Sequence, residues 1–368
     1  MKLIGSSAFK KYLLPGFVFQ SVVIAGGYGT GRELVEYFLQ YGPLGGLLGM
    51  FLVTTLIWTL ILAVTFEFSR KFKAYDYKSF FKKLLGPFWP SFEVLYLINL
   101  CLVLAVIGSA AGIILKDNFK LPYMVGVFLM LISIGFLTFK GKKLIENFLS
   151  FWSLVLYLTY AAFFIIAFFK FGTDIQKNLS ASVVNSGWLL SGFKYALYNM
   201  GIIPAVFFCL THIKTRKQAL SAGFLGGVIG IFPGFLFYMA VLGHYPDILP
   251  EAVPAIFVLK KINIPLFMIL FQVVLFGTLI ETGTGIIHAV NQRIQASLNI
   301  KGKKLPQWMR PVIASGLILI SIGISTFGLI NIIAKGYGSI SWGFFAVFVI
   351  PLLTLGIYKI IKSNPSKD

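Results

Sequence analysis

Apolar runs of about 20 residues recur along the whole of this sequence, and nothing else in it constrains the fold so tightly. Each run is long enough to cross the ~30 Å of hydrocarbon in a bilayer. Backbone polar groups in lipid need internal partners, so such runs must be helices. A transmembrane barrel would show alternating segments of about ten residues instead. Composition agrees. Hydrophobic residues make up 58% of the chain, charged ones 12%, and mean hydropathy is +0.87. The charged share is roughly half that of a globular protein. Ten spans are expected, at about 9–41, 43–68, 90–115, 121–139, 144–169, 187–212, 217–243, 265–292, 309–333 and 337–360. They are numbered 1 to 10 below. The polar stretches between them are too short for a core of their own. The chain therefore reads as one all-α transmembrane domain over 1–368. Cys101 and Cys209 fall inside spans and are expected to be free, buried thiols.

The net charge of +20 follows from topology. With the N-terminus in the cytoplasm, 23 of the 32 Lys and Arg residues lie on the inside, seven lie outside, and Arg32 and Lys194 fall within spans. Such a bias over short loops predicts a multi-pass cell-membrane protein with both termini cytoplasmic. A basic nucleic-acid surface is the rival explanation. It fits poorly, because the charge is spread over alternate loops.

Span 1 contains "VVIAGGYGTGRELVEYF", residues 22–38, with glycines at 26, 27, 29 and 31. The dinucleotide pattern G-x-G-x-x-G fails in every register, and no short strand precedes it. The alternative is a helix interrupted inside the membrane. Ten spans divide into two halves of five, about 9–170 and 186–361, and an odd number per half inverts the second relative to the first. Span 6 is then the counterpart of span 1. Its "KYALYNMGIIPAVFFCL" carries a second break at Asn199–Pro204, where proline removes an amide donor. Interruptions at matched places in inverted halves point to a transporter's binding site. A half-helix starting near Gly31 presents positive N–H groups to the gap and suits an anion. The half-helix ending near Ile24 presents carbonyls and suits a cation. The expected substrate contacts are Gly26, Gly27, Tyr28, Gly29, Thr30, Gly31, Tyr198, Asn199 and Gly201. Packing glycines and an ordinary proline kink are the bland alternative.

The stretch "IAGGYGTGRELVEYF" resembles the first-helix signature of the YkvI-type family of bacterial membrane proteins, in the amino acid–polyamine–organocation superfamily. The "TFEFSRK" end of span 2 and the broken span 6 extend the resemblance over nearly the whole chain. It implies a LeuT-like fold of five plus five helices, with spans 1 and 6 broken. It implies no particular substrate.

Ionisable residues inside a membrane are costly and usually functional. Arg32 and Glu36 are spaced to pair on one helix face. In the fold implied by the resemblance, an arginine in the place of Arg32 belongs to the external gate. Its usual acidic partner on span 10 is absent, which leaves Glu36 or Glu33 to substitute. Lys194, on the outer half of span 6, is placed either to reach Glu33 or Glu36 or to snorkel to the headgroups. Glu281 stands near the middle of span 8 in "LFGTLIETGTGIIHAVNQ". Burial there favours its neutral form, which suits a proton carrier. The resemblance also implies a cation site in which Thr282 and Thr284 hydroxyls face the carbonyl of Ile24. A structural ion pair is the alternative reading for Glu281. His288 is expected to be a hydrogen-bonded core or interfacial residue.

The function that fits is a secondary transporter of a small organic solute, such as an amino acid or a related zwitterion or anion. Alternating access and coupling to H+ or Na+ go with it. A channel-like pathway or a substrate sensor that keeps the fold is the alternative. No nucleophile motif, metal-ligand cluster or ATPase loop is visible, so neither an enzyme nor a metal site is expected. No cofactor is expected beyond the coupling ion. The partners are the solute and the bilayer, with no nucleic acid and no obligatory protein partner.

Overall fold

The computed structural model describes residues 6–24, 28–140, 142–299, 306 and 308–363, and every regular element among them is helical. Seven stretches among the described residues are long and apolar enough to cross a membrane: Pro43–Lys71, Tyr77–Phe119, Val155–Ser180, Trp188–His212, Arg216–Leu242, Pro265–Gln295 and Leu329–Lys362. Two shorter apolar helices, Tyr123–Leu137 and Met309–Ser325, and the interrupted span 1 account for the other three expected crossings. The free, buried state of Cys101 and Cys209 is as expected.

Two boundaries differ from the sequence reading. Spans 9 and 10 meet earlier, because the chain turns at Gly328, whose φ is 77°. Span 9 ends at Ser325 and span 10 begins at Leu329. The apolar run around "FGLINII" hides a turn that glycine's tolerance of positive φ makes possible. Span 3 is entered through an extra amphipathic helix, Tyr77–Leu85, which buries Phe80, Phe81 and Leu84. The Asp76 carboxylate accepts the Ser79 amide at 2.9 Å and fixes where this helix starts.

Large apolar side chains point outward at helical spacing. Leu52, Leu56 and Leu60 do so on span 2, and Phe128, Ile132 and Phe136 on span 4. Faces of this kind belong against lipid. The interior is held by close backbone approach. Spans 2 and 7 pack along a stripe of small residues on span 7. A Cβ at Gly223 would lie 2.3 Å from the Ala63 Cα, and one at Gly227 would lie 2.5 Å from the Thr59 Cγ2. Gly226 faces Gly16 of span 1 in the same way. With no hydrophobic drive between helices in lipid, such small-residue contacts supply the packing.

Hydrogen bonds to backbone carbonyls join the spans across this core. Span 2 donates to span 6 from Thr54 to Gly192 at 3.0 Å and from Trp58 to Ala196 at 3.1 Å. Span 10 donates to span 6 from Ser341 to Lys194 at 2.9 Å. At the end of the bundle that carries both chain ends, Lys71 donates to the carbonyls of Ile360 and Ser363. Lys359 in turn donates to Lys83 at 2.6 Å. Lysines placed so satisfy the last carbonyls of helices. This is called the termini end below, and the opposite one the far end.

Gly223→Val should destabilise the fold by roughly 1–3 kcal/mol, because its side chain meets backbone that cannot yield. Gly316→Ala on span 9, where nothing lies within 4 Å of the new methyl, should not. Thermal unfolding of the purified protein in detergent compares the two. Equal melting temperatures for both variants would show that the close approach does not hold spans 2 and 7.

Candidate functional site

The two interruptions take different forms. In span 1 the α-helix Leu14–Val23 stops at Ile24, which leaves helical geometry at φ −76°, ψ 45°. A 3-10 turn, Tyr28–Thr30, and then Gly31 at φ 77° lead into the α-helix Arg32–Tyr37. Gly26 and Gly27, both expected to contact substrate, lie outside the described residues. Span 6 does not unwind at Asn199–Pro204. Its α-helix Trp188–Tyr198 passes at Asn199 into fourteen residues of 3-10 helix that run on to His212, with Pro204 inside. Tighter winding keeps a ladder of backbone hydrogen bonds around the proline, so fewer polar groups are freed than an open loop would free.

A cavity of about 470 Å³ lies on the termini-end side of the span 1 break. Ser21, Val22 and Ile24 form one wall, at the end of the first half-helix. Tyr96, Asn99, Leu100 and Val103 of span 3 face them with Leu156 and Tyr157 of span 5. Gly201, Ile202 and Ala205 of span 6 and the span 8 face from Thr278 to Ala289 close the rest. Of the residues expected at the site, Ile24, Gly201, Glu281 and Thr282 line this cavity. Glu281 is half-buried there beside Tyr157. Thr284 does not line it. Its side chain is turned into the bundle, 2% exposed, and its hydroxyl has no hydrogen-bond partner.

Asn99 is the residue that the sequence reading missed. It is 4% exposed, its Oδ1 accepts nothing, and it packs on Gly201, where a Cβ would fall 2.8 Å from its Nδ2. A lone asparagine in the apolar run "LINLCL" was the available signal. The cavity's polar lining is thus one carboxylate, hydroxyls and an amide, set where a helix C-terminus brings partial negative charge. A second cavity of about 240 Å³, between spans 1, 5 and 7, is lined mainly by apolar and aromatic groups, Tyr28 among them.

The far-end side of the break is filled by protein, so Gly29, Thr30 and Gly31, expected to contact substrate, do not line the cavity in this arrangement. A Cβ at Gly29 would fall 2.3 Å from the Tyr160 hydroxyl, and one at Gly31 would fall 2.7 Å from Phe237. Thr30 is fully buried and its Oγ1 accepts the Arg32 amide at 3.2 Å. The start of the second half-helix, where an anion was expected, is covered in the same way. That helix is six residues long and its start is packed over by side chains. Tyr198 and Asn199 also stand away from the cavity. The Tyr198 hydroxyl donates to the Glu33 carboxylate, and Asn199 donates to the Tyr195 carbonyl at 2.9 Å.

Arg32 and Glu36 form the expected pair, at 2.5 Å between Nη2 and Oε2. The other arm of the guanidinium donates to the carbonyls of Leu249 at 2.7 Å and Glu251 at 3.0 Å. These belong to the loop after span 7, so Arg32 pins that loop over the far end. Lys194 is half-buried and makes no ion pair with Glu33 or Glu36. His244 sits at the base of the pinned loop, against Phe171 and Phe257 at 4.4 Å and 5.6 Å between ring centroids. Burial first, and then the Lys261 charge, hold its imidazole below the ordinary value of 6.5.

No family model matches this sequence. The uncharacterised membrane protein YkvI of Bacillus subtilis (strain 168) is 24% identical over 335 residues, 89% of this chain and 92% of that protein. Among solved structures, the manganese transporter of Eremococcus coleocola, in complex with an aromatic bis-isothiourea substituted compound, superposes with a TM-score of 0.56 at 13% identity. That match covers 96% of this chain and 84% of that one. A Na+-coupled sialic acid symporter in its substrate-bound outward-open state gives a TM-score of 0.52 at 13% identity, over 96% and 87% of the two chains. The chain is similar to these two solved structures in fold, and that fold is the LeuT-like, all-α one.

Arg32→Gln leaves the half-buried Glu36 without its cation and should cost on the order of 3 kcal/mol. It should also free the loop, so that a cysteine placed at Glu251 labels faster with a water-soluble maleimide. Unchanged labelling would mean that the loop is held by other contacts. Charging His244 is disfavoured in the folded protein. The stability it contributes is therefore present above about pH 6.5 and lost as pH falls below it. A His244→Gln variant should show a flatter acid decline in melting temperature than the parent.

Proposed function

We propose that this protein is a secondary transporter that moves a small organic solute across the cell membrane by alternating access. The observation that carries the reading is the asymmetry about the span 1 break. A cavity with Glu281 in its wall lies on one side, and a plug of side chains fills the other. In the proposed cycle the solute occupies the cavity, and the far end opens when the termini end closes. The lysine and arginine distribution favours a cytoplasmic termini end, and with that orientation the arrangement faces inward. The similar manganese transporter raises the question of a metal substrate. Among the described residues no group of three or more His, Cys, Asp or Glu is placed to hold a metal ion, and we favour an organic solute.

Glu281 is the proposed coupling residue, with a proton or a sodium ion beside Thr282 and the carbonyl end of the first half-helix. A channel is the weaker alternative, because Gly29 and Gly31 are packed over at the far end. The test uses purified protein in liposomes preloaded with candidate amino acids, betaines or organic acids, and reads counterflow of the labelled solute. A transported solute should exchange in both the parent and Glu281→Gln. Uphill accumulation under a proton or sodium gradient should fail only in the variant. Absence of counterflow with every solute would remove the transporter reading, and undiminished accumulation by Glu281→Gln would move coupling elsewhere.

A further inference from the structure

Next to the Arg32–Glu36 pair is a second carboxyl that no cation answers. Glu33 is 4% exposed, on the far-end half of span 1. The Tyr198 hydroxyl of span 6 donates to it. Around that contact the Tyr198 ring stacks on Tyr337 of span 10 at 4.6 Å and on Tyr37 of span 1 at 5.8 Å between centroids. Tyr195 meets Tyr198 edge-on at 5.5 Å, and the Tyr37 hydroxyl donates to the Ile333 carbonyl of span 10 at 2.9 Å. One carboxyl thus sits where rings from spans 1, 6 and 10 converge.

The charged groups of the surrounding elements are committed or turned away. Arg32 holds Glu36 and the loop carbonyls. Lys194 of span 6 forms no ion pair with Glu33, and Lys335 of span 10 is exposed. Span 7, which packs on the same half-helix, contributes the uncharged Phe237 and Tyr238 at this level; Tyr28 of span 1 is the remaining titratable neighbour. An ionised carboxylate sealed among rings without a cation is strongly disfavoured. The neutral acid fits, because tyrosine hydroxyls can both donate and accept.

We propose that Glu33 is a proton-binding site of the far-end gate. The closed arrangement holds one proton on its carboxyl, and parting spans 1, 6 and 10 lets water in and returns that proton to the far-side solution. The inference rests on the alternating-access reading and adds to it a named ligand, H+, and the residue that takes it. Closing the gate converts a hydrated carboxylate and one proton from the far side into a buried acid, so charge and atoms balance. The closed state binds one proton more than the open one. Raising the pH through the range where only the open state has lost its proton therefore shifts the ratio toward open, by about tenfold per pH unit.

The gate is readable with spin labels at Asp117, at the far end of span 3, and Ser186, before span 6. Both positions are exposed, and the buried Cys101 and Cys209 are replaced by Ala. Distances are measured by double electron–electron resonance on the full chain in lipid nanodiscs, from about pH 5 to about pH 9, a window that brackets exposed and buried carboxyls. The parent should show a short distance in acid and a longer one that grows as pH rises. Glu33→Gln, which keeps the shape and cannot ionise, should stay short throughout. A parent distribution independent of pH, or a Glu33→Gln variant that still opens with pH as the parent does, overturns the proposal. If two distances exchange with solute and ignore pH, alternating access stands and Glu33 is only a packing residue. A single distance under every pH and solute removes both.

Discussion

Inside a bilayer no water is present to satisfy a peptide group, and the architecture of this protein follows from how it meets that demand. Among the described residues, nine crossings meet it with continuous helical winding, α, 3-10 or π. Span 1 does not, and its break survives because neighbours close over it. Tyr160 covers Gly29, Phe237 covers Gly31, and Thr30 turns its hydroxyl back onto the Arg32 amide. The half-helix beyond the break is then short enough to need outside support, which Arg32 supplies through the loop that follows span 7. Interruption, plug and pinned loop form one chain of dependence.

That chain separates the two sides of the membrane chemically. On the termini-end side, the half-helix Leu14–Val23 ends at a cavity walled by a carboxylate, hydroxyls and an orphaned amide oxygen. On the far-end side, the same span is embedded in rings and carries two carboxyls with different surroundings. Glu36 has a guanidinium, and Glu33 has a phenol. Neighbouring positions on one short helix thus hold one acid as an ion pair and the other in an aromatic pocket.

Much of this was legible in the sequence. Length and hydropathy predicted the crossings, glycines marked the break, and the i, i+4 spacing of Arg32 and Glu36 announced their pair. What stayed hidden depends on partners far away in the chain. The acceptors of Arg32 are carbonyls 217 and 219 residues on, and a backbone carbonyl has no sequence signature. Nor can a glycine say what fills the space it leaves. Gly29 and Gly31 read equally well as contacts for a ligand and as seats for Tyr160 and Phe237, and the structure shows the seats. The Asn199–Pro204 segment signalled an irregularity, but proline is compatible with both an open loop and tighter winding, so its form was undetermined. The Gly328 turn was missed because its flanks are apolar on both sides.

The winding of span 6 sets a length. Fourteen residues of 3-10 helix rise about 28 Å, whereas the same residues wound as α-helix would rise about 21 Å. Rewinding even half of that segment would shorten it by about 3.5 Å, close to the diameter of a water molecule, and the Gly201–Ala205 wall of the cavity lies on it. The 3-10 winding of span 6 therefore sets how far the Gly201–Ala205 wall of the cavity stands from the ends of the helix.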